Sequence, residues 1–494
     1  MKKTKITAFL LLAAMLTSVA SCGDTSASGN ETTTGGGDSA ETTPAETGRD
    51  AVSDDLPAKK FGGAKFTILD RTDYVYEFEA EEETGDLLND AIYKRNLAVE
   101  DRFGIDLVSY PLNCAWGDQA TAFNNTLLSS VMAGDVAFDL VAGYAATIPG
   151  IVSEGIFFNW SELDHIDHTK PWWSELVAEE LTINGKDFMI TGDISLALWK
   201  GMNCIFFNKR LAENYQTGDL YALVKDGKWT FDKMAELTKD VYQDIDGDGK
   251  RSNGDSYGML MGWATEIDNM KEAFEIHVTE KGKDGFPEIT LVNEHTIEAV
   301  GKINDYIHNN DGVYANGDGD IRTQIYNMFS NGQGIMYTAT LGKSEQLRAM
   351  NDDFGILPYP KYDENQKQYH STSLDEFSLF VLPIDVKDKE MSAIITEALC
   401  AESYKKVVPA YYETALKTKY TRDDESIAMI DMIVNSRVFD LGYVYDAWNG
   451  ASFIFQTLIS ANKPIFESYW ASNEKKITTY YNDKVIAFFE NYDK

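Results

Sequence analysis

Lys65-Phe-Thr-Ile-Leu-Asp70, Ile105-Asp-Leu-Val-Ser-Tyr110 and Phe138-Asp-Leu-Val-Ala-Gly143 are short runs rich in branched and aromatic residues, and what separates them decides the fold. Between residues 83 and 103, Leu88, Ile92, Leu97, Val99 and Phe103 recur at roughly helical spacing, the stripe by which a helix covers a sheet. A second amphipathic stretch, residues 119–132, stops at Ala133-Gly134. Strand, helix, strand, helix, strand predicts an α/β protein with a mainly parallel sheet, because parallel neighbours need crossovers and these carry helices. Ligands of such sheets sit outside the carboxyl ends of the strands. The turns at residues 71–74 and 143–146 are therefore predicted to face a site.

Upstream of this body, Lys2, Lys3 and Lys5 precede an apolar run over residues 6–16, the pattern of an export signal over residues 1–21. The run is shorter than the roughly 20 apolar residues of a bilayer span. Val19-Ala20-Ser21-Cys22 resembles the bacterial lipobox, in which small residues precede a cysteine that is diacylated and becomes the new N-terminus. The resemblance implies lipidation of Cys22; an ordinary secretory signal with an incidental cysteine is the alternative. Acyl chains contribute about 0.8 kcal/mol per buried CH₂, so two or three hold a protein at a membrane. Residues 22–56, with Thr32-Thr33-Thr34 and Gly35-Gly36-Gly37 and almost no large apolar side chain, predict a disordered linker with an r.m.s. span on the order of 30 Å. The expected location is the extracytoplasmic face of the cell membrane, reached through the lipid anchor.

A formal charge of −35 excludes nucleic acid as a partner, since nothing offsets repulsion from phosphate, and keeps an exported chain soluble. Cys114, Cys204 and Cys400 are far apart and odd in number, so no disulfide framework is expected. Three buried thiols are the main reading and one bridge with a thiol left over the alternative.

Further along come Trp160, Pro171-Trp172-Trp173, a hairpin-like stretch around Asn184-Gly185, and Cys204-Ile-Phe-Phe-Asn-Lys-Arg-Leu211. Phe207-Asn208-Lys209 followed by Lys228-Trp229-Thr230-Phe231-Asp232 resembles the family 1 extracellular solute-binding proteins of ABC importers. Gly332-Gln-Gly-Ile-Met-Tyr337, Phe354-Gly-Ile-Leu-Pro358 and Ser378-Leu-Phe-Val-Leu-Pro383 are similar to later strands of that family, so the resemblance spans the whole body. It implies a two-lobed, type II periplasmic-binding-protein-like fold, each lobe a mixed sheet flanked by helices, with several hinge crossings. We place crossings near residues 199–205, 373–377 and 438–443. Lobe 1 is expected from residues 57–200 with 375–435, and lobe 2 from 201–374 with 436–494. The implied function is capture of a small solute, a mono- or oligosaccharide, and its delivery to an ABC permease, by a monomer.

The most specific motif is Asp244-Ile-Asp246-Gly-Asp248-Gly249-Lys-Arg-Ser-Asn-Gly-Asp255. It fits the pattern in which carboxylates at positions 1, 3 and 5 converge on one hard cation and Gly at 6 permits the turn. Lys250 offers its carbonyl, Ser252 stands at position 9, and Asp255 at position 12 is one methylene shorter than the usual glutamate. Structural calcium is expected; a solvated Asp/Gly turn is the alternative. Helical signals at Met234, Leu237 and Val241 precede the loop, and residues 257–261 read as a strand after it.

A sugar needs aromatic planes and fixed hydrogen-bonding side chains. Placement relative to strands and crossings nominates Tyr144, Trp199, Trp263, Tyr337 and Trp448 for stacking, with Asp73, Tyr74, Asp375 and Glu376 for hydroxyls. Trp172 and Trp173 read as packing. Peptides, other solutes and a surface glycan captured without a transporter remain alternatives. A glycosidase fits less well, because neighbouring Asp375 and Glu376 would point to opposite faces of a strand and could not flank one bond. No nucleophile elbow, HExxH or phosphate loop appears.

Overall fold

The computed structural model describes residues 48–492 other than 263–264, 316–319 and 446–449. The export signal, Cys22, Trp263 and Trp448 lie outside the described residues. β1 (Ala64–Arg71), β2 (Ile105–Leu112) and β3 (Leu140–Tyr144) open the chain, followed by β4 (Asn203–Asn208) and β5 (Tyr257–Leu260). β6 (Thr279–Lys281) and β7 (Pro287–Ile289) pair only with each other; β8 (Val313–Tyr314), β9 (Gly334–Thr340), β10 (Phe354–Leu357) and β11 (Ser378–Val381) complete the set.

Two main sheets result, ordered β11-β3-β1-β2 and β10-β4-β9-β5-β8. In the first, β1 lies parallel to β2 and β3, and β11 returns antiparallel along β3. In the second, β4 is antiparallel to β9 and β10, while β5 is parallel to β8 and β9. Each lobe thus holds a mixed sheet, and helices cover both.

Local chemistry explains the elements. Asp86 accepts from the Leu88 and Asn89 amides to start the helix Leu87–Phe103, and Gly104, at φ 62°, ends it. That helix buries Ile92, Val99 and Phe103, while Leu97 stays exposed. In β3, a side chain at Gly143 would come within 2.3 Å of Ile148, so the turn after the strand folds back tightly only because the residue is glycine. Asn184 and Gly185, both at positive φ, turn the short hairpin closed by Ile183 and Lys186. In the second lobe the fully buried Trp229 donates its indole N–H to the Pro358 carbonyl at 2.9 Å, and Thr230 caps the helix Phe231–Thr238.

Three crossing segments run side by side between the sheets. Met202 bridges Ser373, the Asn203 amide donates to Thr372, and the Leu374 amide donates to Gly201. Ser371 in turn bridges Arg437, and the Val438 amide donates to Ser371.

Several boundaries differ from expectation. Residues 48–56, assigned to the linker, are held on the body: Asp54 accepts from Arg102 at 2.9 Å, Asp55 from Lys170 at 2.5 Å, and the Arg49 guanidinium lies 4.4 Å from the Tyr404 ring. Acidic side chains that look like solvated leash find cations on the folded surface. The helix Asp424–Asn435, grouped with lobe 1, packs on β10 of the second sheet. The C-terminal Phe488, Phe489 and Tyr492, grouped with lobe 2, close around Phe188 of the opposite segment. Contacts between residues far apart in sequence, invisible to local pattern, set these placements. Cys114, Cys204 and Cys400 are buried and unbridged. Among the described residues no helix is long and apolar enough to cross a membrane.

Candidate functional site

The carboxyl ends of β1, β2 and β3 and the start of β11 meet at one edge of the first sheet, Ser378 lying opposite Tyr144. Three adjoining cavities of about 410, 280 and 220 Å³ lie along this edge. Glu376 lines all three; Trp116 and Tyr144 are common to the first two, Tyr74 and Tyr76 to the last two. They therefore form one cleft. Its far wall comes from the second lobe, as Thr265, Arg322, Phe453 and Gln456.

Each side chain is placed by its element. Arg71 ends β1, and Asp73, Tyr74 and Tyr76 sit on the 3-10 turn Thr72–Glu77 that follows. Arg71, 3% exposed, donates to the Glu376 carbonyl and to Ser378 Oγ at 3.3 Å, with its guanidinium 3.9 Å from the Tyr74 ring and 5.2 Å from that of Tyr144. Ser378 in turn donates a hydrogen bond to the buried Glu77 at 2.8 Å. Tyr74 donates to Glu376 Oε2 at 2.6 Å, and burial together with that carboxylate raises the phenol well above its ordinary pKa. Asp375 is 7% exposed; burial first, then the neighbouring Glu376, push its carboxyl up to about 7.

Across the cleft Arg322 donates to Thr265 Oγ1 at 2.8 Å and faces Glu266 at 3.4 Å. Gln456 donates to Asp268 at 2.8 Å. Trp116, 55% exposed, stands edge-on to Tyr144 at 6.3 Å and to Phe453 at 5.6 Å, so its indole spans the gap between lobes.

Of the residues expected to bind ligand, Asp73, Tyr74, Tyr144, Asp375 and Glu376 line this cleft. Two do not. Tyr337 is 1% exposed between Phe206 and Phe329, because β9 is an inner strand covered on both faces. Trp199 packs on Tyr412 at 5.1 Å under the Arg437 guanidinium, away from the cleft lining. Asp375 and Glu376 occupy a turn rather than a strand and both line the largest cleft cavity, so the opposite-face argument does not apply to them. Trp116, Arg322, Phe453 and Gln456 lie outside the sequence expectation, which reaches Arg71 only as the first residue of a turn facing the site. The Cys114-Ala-Trp-Gly117 loop after β2 carried a usable signal: a tryptophan at a carboxyl end of a parallel strand.

The acidic loop folds around Asp244, whose two oxygens accept from the Gly247 amide at 2.7 Å and the Gly249 amide at 2.9 Å. Carboxylate oxygens of Asp244, Asp246 and Asp255 lie within 4.8 Å of one another. Asp248 turns away to the Lys250 amide at 2.7 Å, Tyr242 donates to the Lys250 carbonyl at 3.4 Å, and the Ser252 amide donates to Asp255 at 2.8 Å. The preceding helix stops at Thr238, before Val241, and the Gln243–Ser256 bridge closes the loop onto β5. Three converging hard oxygens suit calcium.

No protein-family model and no curated protein sequence matches the chain. Solved structures do. A cyclo/maltodextrin-binding protein complexed with maltotetraose is 14% identical, with TM-score 0.55 over 86% of this chain and 98% of its own. An ABC substrate-binding protein from Listeria monocytogenes in complex with cycloalternan is 13% identical, with TM-score 0.53 over 84% and 98%. The maltose/maltodextrin-binding domain from Bdellovibrio bacteriovorus bound to maltotriose is 14% identical, with TM-score 0.52 over 81% and 96%. The chain has their two-lobed fold.

Proposed function

We propose that this protein is a solute-binding protein that captures a mono- or oligosaccharide between its two lobes and delivers it, unaltered, to the permease of an ABC importer. The observation that carries this reading is the inter-lobe cleft, where carboxyl groups of Asp73, Asp375 and Glu376 adjoin the rings of Trp116, Tyr144 and Phe453. Rings offer stacking faces to sugar C–H groups and carboxylates accept hydroxyl protons. The saccharides held by proteins of similar fold support the ligand class. The Val19-Ala20-Ser21-Cys22 signature supports lipidation at Cys22 and a place on the extracytoplasmic membrane face.

Thermal-shift screening against oligosaccharides and peptides, with product analysis of each stabilising compound, tests the reading. A bound sugar at 100 times its Kd adds about 2.7 kcal/mol of stability, a readily measured rise in midpoint. The sugar is expected to be recovered intact. Stabilisation by peptides alone would overturn the saccharide class, and release of a hydrolysis product would overturn binding without turnover.

The same reading includes a structural calcium ion held by Asp244, Asp246 and Asp255, with the Lys250 carbonyl and Ser252 as further oxygen donors and Asp248 outside the set. When bound, the ion would offset two of the three carboxylate charges and fasten the loop to β5.

A further inference from the structure

The charges of the cleft do not balance. Among the described residues Arg71 and Arg322 are its two guanidinium groups, and the direct contacts of each lie within its own lobe. Arg71 reaches the buried Glu77 through Ser378, and Arg322 faces the buried Glu266. Farther along, Lys200 pairs with Glu345 at 3.0 Å, and Lys343 donates to Gln346 at 3.4 Å. Lys343 is thus met by a neutral amide, and the rest of the unpaired lining is acidic. Among the described residues no cation lies within ion-pair distance of Asp73, Asp375 or Glu376, although Arg322 and Arg71 act on Asp375 from farther off, and Tyr74 is the one side chain bonded to the Glu376 carboxylate. Asp375 is the extreme case: more than nine-tenths buried, it lines the largest cleft cavity and hydrogen-bonds to no other described residue.

A buried carboxylate without a counter-charge is costly, and a neutral hydroxyl offsets little of that cost. An ammonium group offsets much more, through charge-assisted hydrogen bonds about twice as strong as neutral ones. The aromatic rings alongside add attraction for a cation over their faces. We infer that the cleft selects amino sugars, saccharides carrying a free protonated amine, with the ammonium received at Asp375 and Glu376 and the sugar ring against Trp116 and Phe453. This rests on the saccharide reading above. It also implies proton release on binding near neutral pH, because an arriving cation ionises an Asp375 that burial keeps partly protonated.

Isothermal titration of the exported chain distinguishes the possibilities, using glucosamine oligomers, their N-acetylated counterparts, neutral glucose oligomers of equal length and a lysine tripeptide. The glucosamine oligomers are expected to bind at least ~10-fold tighter than either other sugar series, with a heat that varies with the ionisation enthalpy of the buffer. D375N and E376Q should each erase most of that preference while changing neutral-sugar affinity less. Equal or tighter binding of the N-acetylated or neutral sugars overturns amine selection and leaves the saccharide reading standing. Failure of the glucosamine oligomers to bind overturns it whatever else binds, and binding of the lysine peptide with no sugar overturns both. Should a variant fail to fold, the selectivity of the unaltered protein between the amine and its N-acetylated twin decides alone.

Discussion

Trp116 lines two of the three cleft cavities and reaches rings of both lobes. An indole 55% exposed in water is held edge-on between Tyr144 and Phe453, with no core beneath it to reward burial. Its removal should therefore be felt by the ligand rather than by the fold. W116A is expected to weaken binding of whichever sugar stabilises the protein by about tenfold or more, and to change unfolding free energy by no more than about 0.5 kcal/mol; titration and denaturant unfolding of the same sample check both halves. At this scale the sequence was legible where a topological rule applied. The rule that ligands meet carboxyl strand ends picks out Asp73, Tyr74 and Tyr144, and would have picked out Trp116 had the end of β2 been weighed with those of β1 and β3. It could not find Arg322, Phe453 or Gln456, which a different lobe brings across the gap. Tyr337 was misread because an aromatic near a strand end looks the same in sequence whether its strand is an edge or, like β9, an inner one.

At the scale of elements, the loop over residues 244–255 is a local motif that carries into the structure in all but Asp248, which turns out of the converging set. Asp244 folds the chain over itself through two glycine amides, and Asp255, fully buried, fastens the far end to the Ile245 and Ser252 amides. Three carboxylates pressed within 4.8 Å repel one another unless a cation sits among them. Chelator is accordingly expected to lower the melting midpoint by roughly 3 °C or more, with excess calcium restoring it, and D244A should abolish the response. An unchanged midpoint would leave the loop a solvated turn. The strands were readable for a similar reason: their apolar runs are local. The ends of the linker and the lobe membership of residues 424–435 and 488–492 were not, because salt bridges to Arg102 and Lys170 and ring contacts to Phe188 join residues far apart in sequence.

For the whole molecule the dominant fact is acid, both as a net charge of −35 and as carboxyl groups shut away from water. Burial pushes Asp70, Asp193, Asp375 and Glu397 up to about 7 and Asp187 to about 8, although Glu397 is gripped by the indole N–H groups of Trp172 and Trp173. The sign follows from linkage. A carboxyl group whose folded pKa lies above its unfolded value binds its proton more tightly in the folded state, so its contribution is complete below about pH 4 and is lost as pH rises through 7 to 8. Groups shifted the other way act elsewhere. The neighbouring Lys271 and His277 outweigh burial and hold Glu272 below the ordinary range, so its contribution is lost only in acid. His168, lowered by burial, opposes the trend, but only below the ordinary histidine value. Self-repulsion of the ionised chain adds to the loss at high pH. The melting midpoint should thus fall on the order of 5 °C between pH 5.5 and 8.5. Asp187 lies outside the ligand cleft, beside His168, and so provides an internal control. D187N should raise the midpoint at pH 8.5, where the native carboxylate must ionise without a matched cation, and leave it nearly unchanged at pH 5.5, where native Asp187 is already neutral. A midpoint that stays flat or climbs across this range would mean that the buried acids are answered by cations, and the argument for an amine in the cleft would lose its electrostatic basis along with them.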